Sequence, residues 1–309
     1  MQPLLLMAFA LTFFALPLWP AWRELRRPQD NAALDVDNRN PSDALRPLKQ
    51  ARELLQQLRQ SAATPADVAQ VLSARHIAHA AEGGVWEGAL PEGTRVVLSE
   101  TPLRAKPEAA SVQVVYAPVL RASGVLDYVV SAQTLLVLDK GCEVRSAHAE
   151  QVWAGEPKGA VLPEVLFEEG AEKPLQVLPG AQWLSVQQRW QAGARVALPD
   201  GACLQGDLVA QGEVHLGVGC LVKGSIKADR VLLGDKALVS GNVVAREVTL
   251  GRGAGVKGCV VCDEQLSLGP GAQVGTRQQV ATALACDVTM AQGSRVLGTV
   301  QAHRSVRSV

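Results

Sequence analysis

Two cysteines three residues apart, Cys259-Val-Val-Cys262, have the spacing of a metal-binding or dithiol redox pair. Along an extended segment, however, residues three apart project from opposite faces, so the two thiols are poorly placed to share one ion. Cys262 falls at an inward slot filled elsewhere by Ala228 and Ala245, and Cys142 and Cys220 fall in the small-residue slot after a turn, so these thiols read as small core fillers. His76 and His79 are spaced one helical turn apart without a nearby carboxylate or thiol, which predicts a solvated helix face. His215 lies between the inward Val214 and Leu216 and therefore points outward. There is no glycine-rich loop ending in Lys-Ser/Thr to cradle phosphates. These residues predict no catalytic group, no cofactor, no metal and no nucleotide requirement.

The elements that carry these residues follow from composition and pattern. Hydrophobic residues make up 48% of the 309, aromatics only 4%, and the apolar share is mostly Val, Leu and Ala, which suits thin repetitive layers. Thirty Lys and Arg balance thirty Asp and Glu, leaving no basic excess to attract nucleic acid. Pro3 to Trp22 contains no charge. That run, carried by Leu4, Leu5, Leu6, Phe9, Leu11, Phe13, Phe14, Leu18, Trp19 and Trp22, matches a hydrocarbon core of roughly 30 Å and predicts a membrane anchor over residues 1–22. Arg23, Arg26 and Arg27 follow at once, which places the body in the cytoplasm and keeps the six cysteines reduced. The competing reading is a cleaved signal peptide around Ala8-Phe9-Ala10, although a basic leading segment is missing.

Residues 23–84 read as a polar juxtamembrane linker followed by two helices. Pro47 can open the first, with Leu48, Ala51, Leu55 and Leu58 on one face through about Gln60. Thr64-Pro65-Ala66-Asp67 supplies a cap, a first-turn proline and an acidic third position for the second, and Gly83-Gly84 closes the helical region.

From Val85 a repeat takes over. The pattern of an apolar residue, two turn residues, Gly or a substitute, a small residue, any residue and an apolar residue starts at Leu198, Leu216, Leu233, Leu250, Leu268 and Met290, with steps of 18, 17, 17, 18 and 22. Alternation within each period gives three short strands. Their inward positions include Val222, Ile226, Val231 and Leu233, then Val239, Val243, Val248 and Leu250, then Val256, Val260, Leu268 and Val274. A worn form of the signature recurs at Leu90, Leu138 and Val177. Residues 85–195 therefore read as a degenerate, loop-interrupted coil with loops in 155–174, or as a separate small β domain, and residues 196–309 as the regular coil.

At Gly206-Asp-Leu-Val-Ala, Gly224-Ser-Ile-Lys-Ala-Asp-Arg-Val-Leu-Leu-Gly and Gly241-Asn-Val-Val-Ala-Arg-Glu-Val-Thr-Leu-Gly the chain resembles the bactofilins, polymer-forming bacterial cytoskeletal proteins, and especially their membrane-anchored type. The resemblance covers about Arg195 to Gly275. It implies an all-β, right-handed parallel β-helix with 17–18-residue turns behind a transmembrane helix. It also implies nucleotide-independent filaments of the protein with itself, a single pass through the bacterial inner membrane, and partners among envelope or division proteins. The long irregular segment before the repeats and the stretched Leu268–Met290 interval depart from the family pattern.

A coil of this kind ends in open strand edges. Val296, Val300 and Val306 near the end of the sequence mark such an edge, with no capping helix after it, as a self-association surface. A second surface is the outward column of Val209, Lys227, Val244 and Val261, with Leu221 and Leu238 beginning another. Two other readings stay open. Leu216-Gly-Val-Gly-Cys-Leu-Val222 also resembles the repeat of hexapeptide acyltransferases, which use a histidine base, although 17-residue steps break their rule of strict sixes. A membrane adaptor that does not polymerise is the other.

Overall fold

The structure is a computed structural model that describes residues 45–309 except 62–63, 81–83, 86–89, 91, 106–110, 156–174, 176 and 186. Helix α1 spans Arg46–Gln60 and buries Leu48 and Ala51. Helix α2 spans Pro65–Ala74. Thr64 caps it by accepting from the Asp67 N–H at 3.3 Å, while the Asp67 carboxylate accepts from the Thr64 hydroxyl at 2.6 Å and from the Thr64 N–H at 3.2 Å, and these two bonds, the hydroxyl's first, hold the Asp67 carboxyl below its ordinary pKa. The helical region ends sooner than the Gly83-Gly84 pair suggests. His76 adopts φ 59 and turns the chain directly into the strand Ile77–Ala80, so His76 and His79 share no helix face.

The described residues after α2 form a β-solenoid wound as two coils, each with mainly parallel pairing. In the C-terminal coil, residues 189–308, the register equals the sequence period. Leu198 lies beside Leu216, then Leu233, Leu250, Leu268, Met290 and Ser308. On another face Leu204, Val222, Val239, Val256, Val274 and Val296 stack one above the next. A third column runs Leu208, Ile226, Val243, Val260, Ala283 and Val300. A fourth runs Val196, Val214, Val231, Val248, Leu266, Val288 and Val306. All of these positions are buried. Each rung fills the core of the next, so a single rung has no core of its own and stability resides between neighbours.

The fourth position of the repeat signature forces the turn. Gly201, Gly219, Gly253, Gly271 and Gly293 all have φ between 63 and 79, and Lys236 holds the same left-handed conformation at φ 57 without the freedom of glycine. The stretched interval is a local extension. Val274 still stacks on Val256, and the added residues leave the ladder between Gly275 and Ala281, where Val280 stands 66% exposed.

In the N-terminal coil, within residues 77–154, Ile77–Ala80, Val96–Ser99, Val114–Ala122 and Val125–Leu138 pair in parallel in that order, and both Glu143–His148 and Gln151–Ala154 pair in parallel with Val125–Leu138, with register shifts in two of these ladders. Gly93 and Gly141, the fourth positions of the worn signatures, again have φ near 78. The membrane anchor expected over residues 1–22 lies outside the described residues, as do all but the first residue of the loops expected in 155–174. No helix among the described residues is long and apolar enough to cross a membrane. The anchored part of the fold expectation is corrected accordingly, and the solenoid with turns of about 17 residues is what remains.

Candidate functional site

The C-terminal rung, Arg295–Val296 and Gly298–Ser308, was expected to present an open edge. It does not. The last rung of the N-terminal coil pairs with it antiparallel, setting Val296 against Val152, Val300 against Ala147 and Val306 against Val144. Val296, Val300 and Val306 are each fully buried, and their three columns continue across the junction into the N-terminal core. Backbone bonds seal the seam. Gly141 N–H donates to the Ser308 carbonyl at 2.8 Å, Ser308 N–H donates to the Cys142 carbonyl at 2.8 Å, and Ala154 N–H donates to the Ser294 carbonyl at 3.0 Å. The reason the edge expectation fails is therefore physical: unpaired strand groups are costly, and a distant part of the same chain satisfies them.

The pairing runs to both sides of the Val300–Ala147 pair, with a register shift between Gln301 and Val306. Val296 meets Val152 on one side of it and Val306 meets Val144 on the other. Both coils thus approach the seam with their later rungs, and strand direction reverses there. Around it lies a polar belt. The Arg295 guanidinium sits 5.2 Å from the Trp153 ring centroid and donates from Nε and Nη2 to Gln273 Oε1 at 2.9 and 2.7 Å. Arg307 pairs with Glu143 at 3.1 Å.

The far ends of the two coils are covered differently. Ala181–Leu184 folds back antiparallel on Arg189–Ala192 with Trp183 5.2 Å from Trp190, and Leu175 N–H donates to the Cys203 carbonyl at 2.7 Å. At the other end α2, with Leu72 buried, packs against Ile77–Ala80.

The chemically tempting residues are dispersed. Cys262 is buried and Cys259 half-buried, its sulfur accepting from Thr282 N–H at 3.4 Å. Burial, reinforced by Asp139 and Glu143, pushes the Cys142 thiol up to about 12, and burial with Asp263 does the same to Cys262, so both stay protonated near neutral pH. Among the described residues no group of His, Cys, Asp and Glu is arranged to hold a metal. His215 is exposed on Glu213–Leu216, with Ala197 and Leu232 as its ladder neighbours. In the outward column Val209, Lys227, Val244 and Val261 lie in register; Lys227 and Val244 are exposed, and Val209 and Val261 are half-buried. Leu221 is buried and Leu238 half-buried, so the second column is not an open apolar stripe.

One cluster was not legible in advance. Glu100 accepts from Arg59 on α1 and lies 2.8 Å from His79 Nε2, tying the helix to the first two rungs of the N-terminal coil. His79 is held below the ordinary histidine value by burial and then by Arg59. Parallel pairing of Ile77–Ala80 with Val96–Ser99 is what brings His79 beside Glu100, and local sequence carries no sign of it.

No family model matches the chain, and no match is found among curated proteins or among solved structures. The resemblance to membrane-anchored bactofilins is corrected on that basis: no match supports family membership. The inner-membrane partner, the single-pass placement with a cytoplasmic body, and the envelope-anchored polymer all rested on the anchor and fall with it.

Proposed function

We propose that this chain is a structural scaffold of fixed length, a rigid β-solenoid that presents its lateral faces and does not grow by adding rungs. The observation that carries this reading is the seam: the C-terminal rung pairs with Glu143–His148 and Gln151–Ala154 instead of standing open. A solenoid lengthens through unsatisfied strand edges, and this chain satisfies that edge internally. The hairpin Ala181–Leu184 and helix α2 at the two far ends work in the same direction. Dispersal of the cysteines and histidines favours a structural role over a hydrolytic or transfer reaction, which needs a nucleophile, a base and an orienting group within hydrogen-bond reach.

Sedimentation velocity and negative-stain microscopy of the chain over a hundredfold concentration range test this. One species of constant mass is the expected result. Filaments, or a mass that rises with concentration, overturn it.

A further inference from the structure

Helix α1 reaches the N-terminal coil through Arg59, which pairs with Glu100, and through Arg52, which lies over the Tyr116 ring. Between helix and coil opens a cleft of about 260 Å³, walled by Arg52, Leu55 and Arg59 on the helix side and by Leu98, Glu100 and Tyr116 among the residues opposite. That volume is near the lower end of small-molecule sites, which begin at roughly 300 Å³, so only a compact ligand fits.

The charges in the cleft are unequal. Glu100 is shared by Arg59 and His79, so it is already committed. Arg52 has no ion-pair partner among the described residues; its guanidinium lies 4.9 Å from the centroid of the Tyr116 ring. Contact with the ring face leaves guanidinium N–H groups available to donate two parallel bonds, the geometry that a carboxylate accepts. The walls beside it are apolar, supplied by Leu55, Leu98 and Pro118, and the Gln133 amide stands at the border. One uncompensated positive charge beside an apolar wall suits a monoanion with a small hydrophobic body. A dianion is disfavoured, because the Glu100 carboxylate is on the same wall.

We propose that this cleft is a binding site for a small organic monocarboxylate, held by the edge of the Arg52 guanidinium over Tyr116 with its apolar body against Leu55, Leu98 and Pro118. The site is independent of the scaffold reading, since it involves neither the seam nor the C-terminal coil.

Isothermal titration of the full chain tests it with three ligands: benzoate, its neutral isostere benzamide, and inorganic phosphate. Saturable binding of one benzoate is expected, with benzamide and phosphate each weaker by about tenfold or more. Arg52→Ala should weaken benzoate by a similar factor, and Arg52→Lys by less, because the charge survives without the fork. Arg195→Ala, a change at an exposed position of the other coil, should leave the titration unchanged. Tyr116→Leu removes the aromatic platform while sparing α1, and it should also weaken benzoate, which keeps the test decisive if Arg52→Ala melts the helix in far-ultraviolet circular dichroism. Absence of saturable benzoate binding, equal binding of benzamide, tighter binding of phosphate, or indifference to both Arg52→Ala and Tyr116→Leu would each overturn the proposal.

Discussion

From Leu198 to Leu268 the C-terminal coil advances by 18, 17, 17 and 18 residues per rung, whereas the N-terminal coil steps by 19, 18, 15 and 17 along the column from Ile77 to Ser146. Both bury apolar columns, so the difference lies at the corners. In the C-terminal coil short polar side chains hold the backbone of the next rung. Asp200 accepts from Val218 N–H at 2.7 Å, Asp207 from Ser225 N–H at 2.7 Å, Asp235 from Arg252 N–H at 2.8 Å, and Asn242 from Cys259 N–H at 2.8 Å. Such a bond reaches only a rung of the same shape, so it keeps corner lengths equal. At the corresponding place in the N-terminal coil Asp139 accepts instead from the side chains of Arg104 and Arg121. Long side chains tolerate rungs of different length. Regular spacing is thus a property of the corner chemistry more than of the core.

The seam is where the two coils depend on each other, and the largest effect is expected there. Val300→Asp places a charge at a fully buried position facing Ala147 and should cost roughly 4 kcal/mol or more. The same change at Val244, which is 39% exposed, should cost under about 0.5 kcal/mol. Urea unfolding compares the two, and an unchanged midpoint for Val300→Asp would mean that the rung is open after all.

Glycine substitution separates the coils next. A Cβ at Gly234 would lie 2.8 Å from the Gly217 carbonyl carbon on the rung before, so Gly234→Ala should cost about 2 kcal/mol as backbones are forced apart. Gly141 in the N-terminal coil has open space at that point and only its φ of +76 to lose, so Gly141→Ala should cost about 1 kcal/mol. Equal losses would show that rung spacing is no tighter in the regular coil.

Removing one corner acceptor should have a smaller effect. Asn242→Ala leaves the Cys259 N–H without its acceptor at an exposed corner where water can replace part of the bond, for a loss of about 1 kcal/mol in thermal or urea unfolding. If the loss is negligible, the side-chain ladder follows the regular spacing and does not impose it. The smallest expected change is a gain. Lys236→Gly relieves the one non-glycine left-handed residue in the repeat turns and should stabilise the chain by about 0.5 kcal/mol, the strain relief being partly offset by the greater freedom of glycine when unfolded.

These contrasts explain what could be read from the residues alone. The C-terminal columns were legible because a Leu-x-x-Gly turn recurs at nearly constant spacing, and the fourth position needs a left-handed backbone in each turn. The N-terminal coil shows that turn at Leu90 and Leu138 only, so its period dissolves into ordinary alternation. The seam left no trace. Val300 and Val306 have the sequence of an edge, and antiparallel pairing to residues more than 150 positions earlier produces no local pattern. The histidines misled because φ 59 at His76 ends the helix before the spacing between them takes effect. The cleft depends on α1 lying beside a coil that begins some 17 residues after it, a tertiary relation that helix amphipathicity cannot specify.

The seam also imposes an order on synthesis. Glu143–Ala154 emerges long before Gly298–Ser308, its partner, so at ribosomal rates of about 5–20 residues per second a bare strand edge waits on the order of ten seconds or more for its cover. During that interval the nascent N-terminal coil is at its most adhesive, and crowding or slow translation between these two segments should lower the yield of correctly closed molecules.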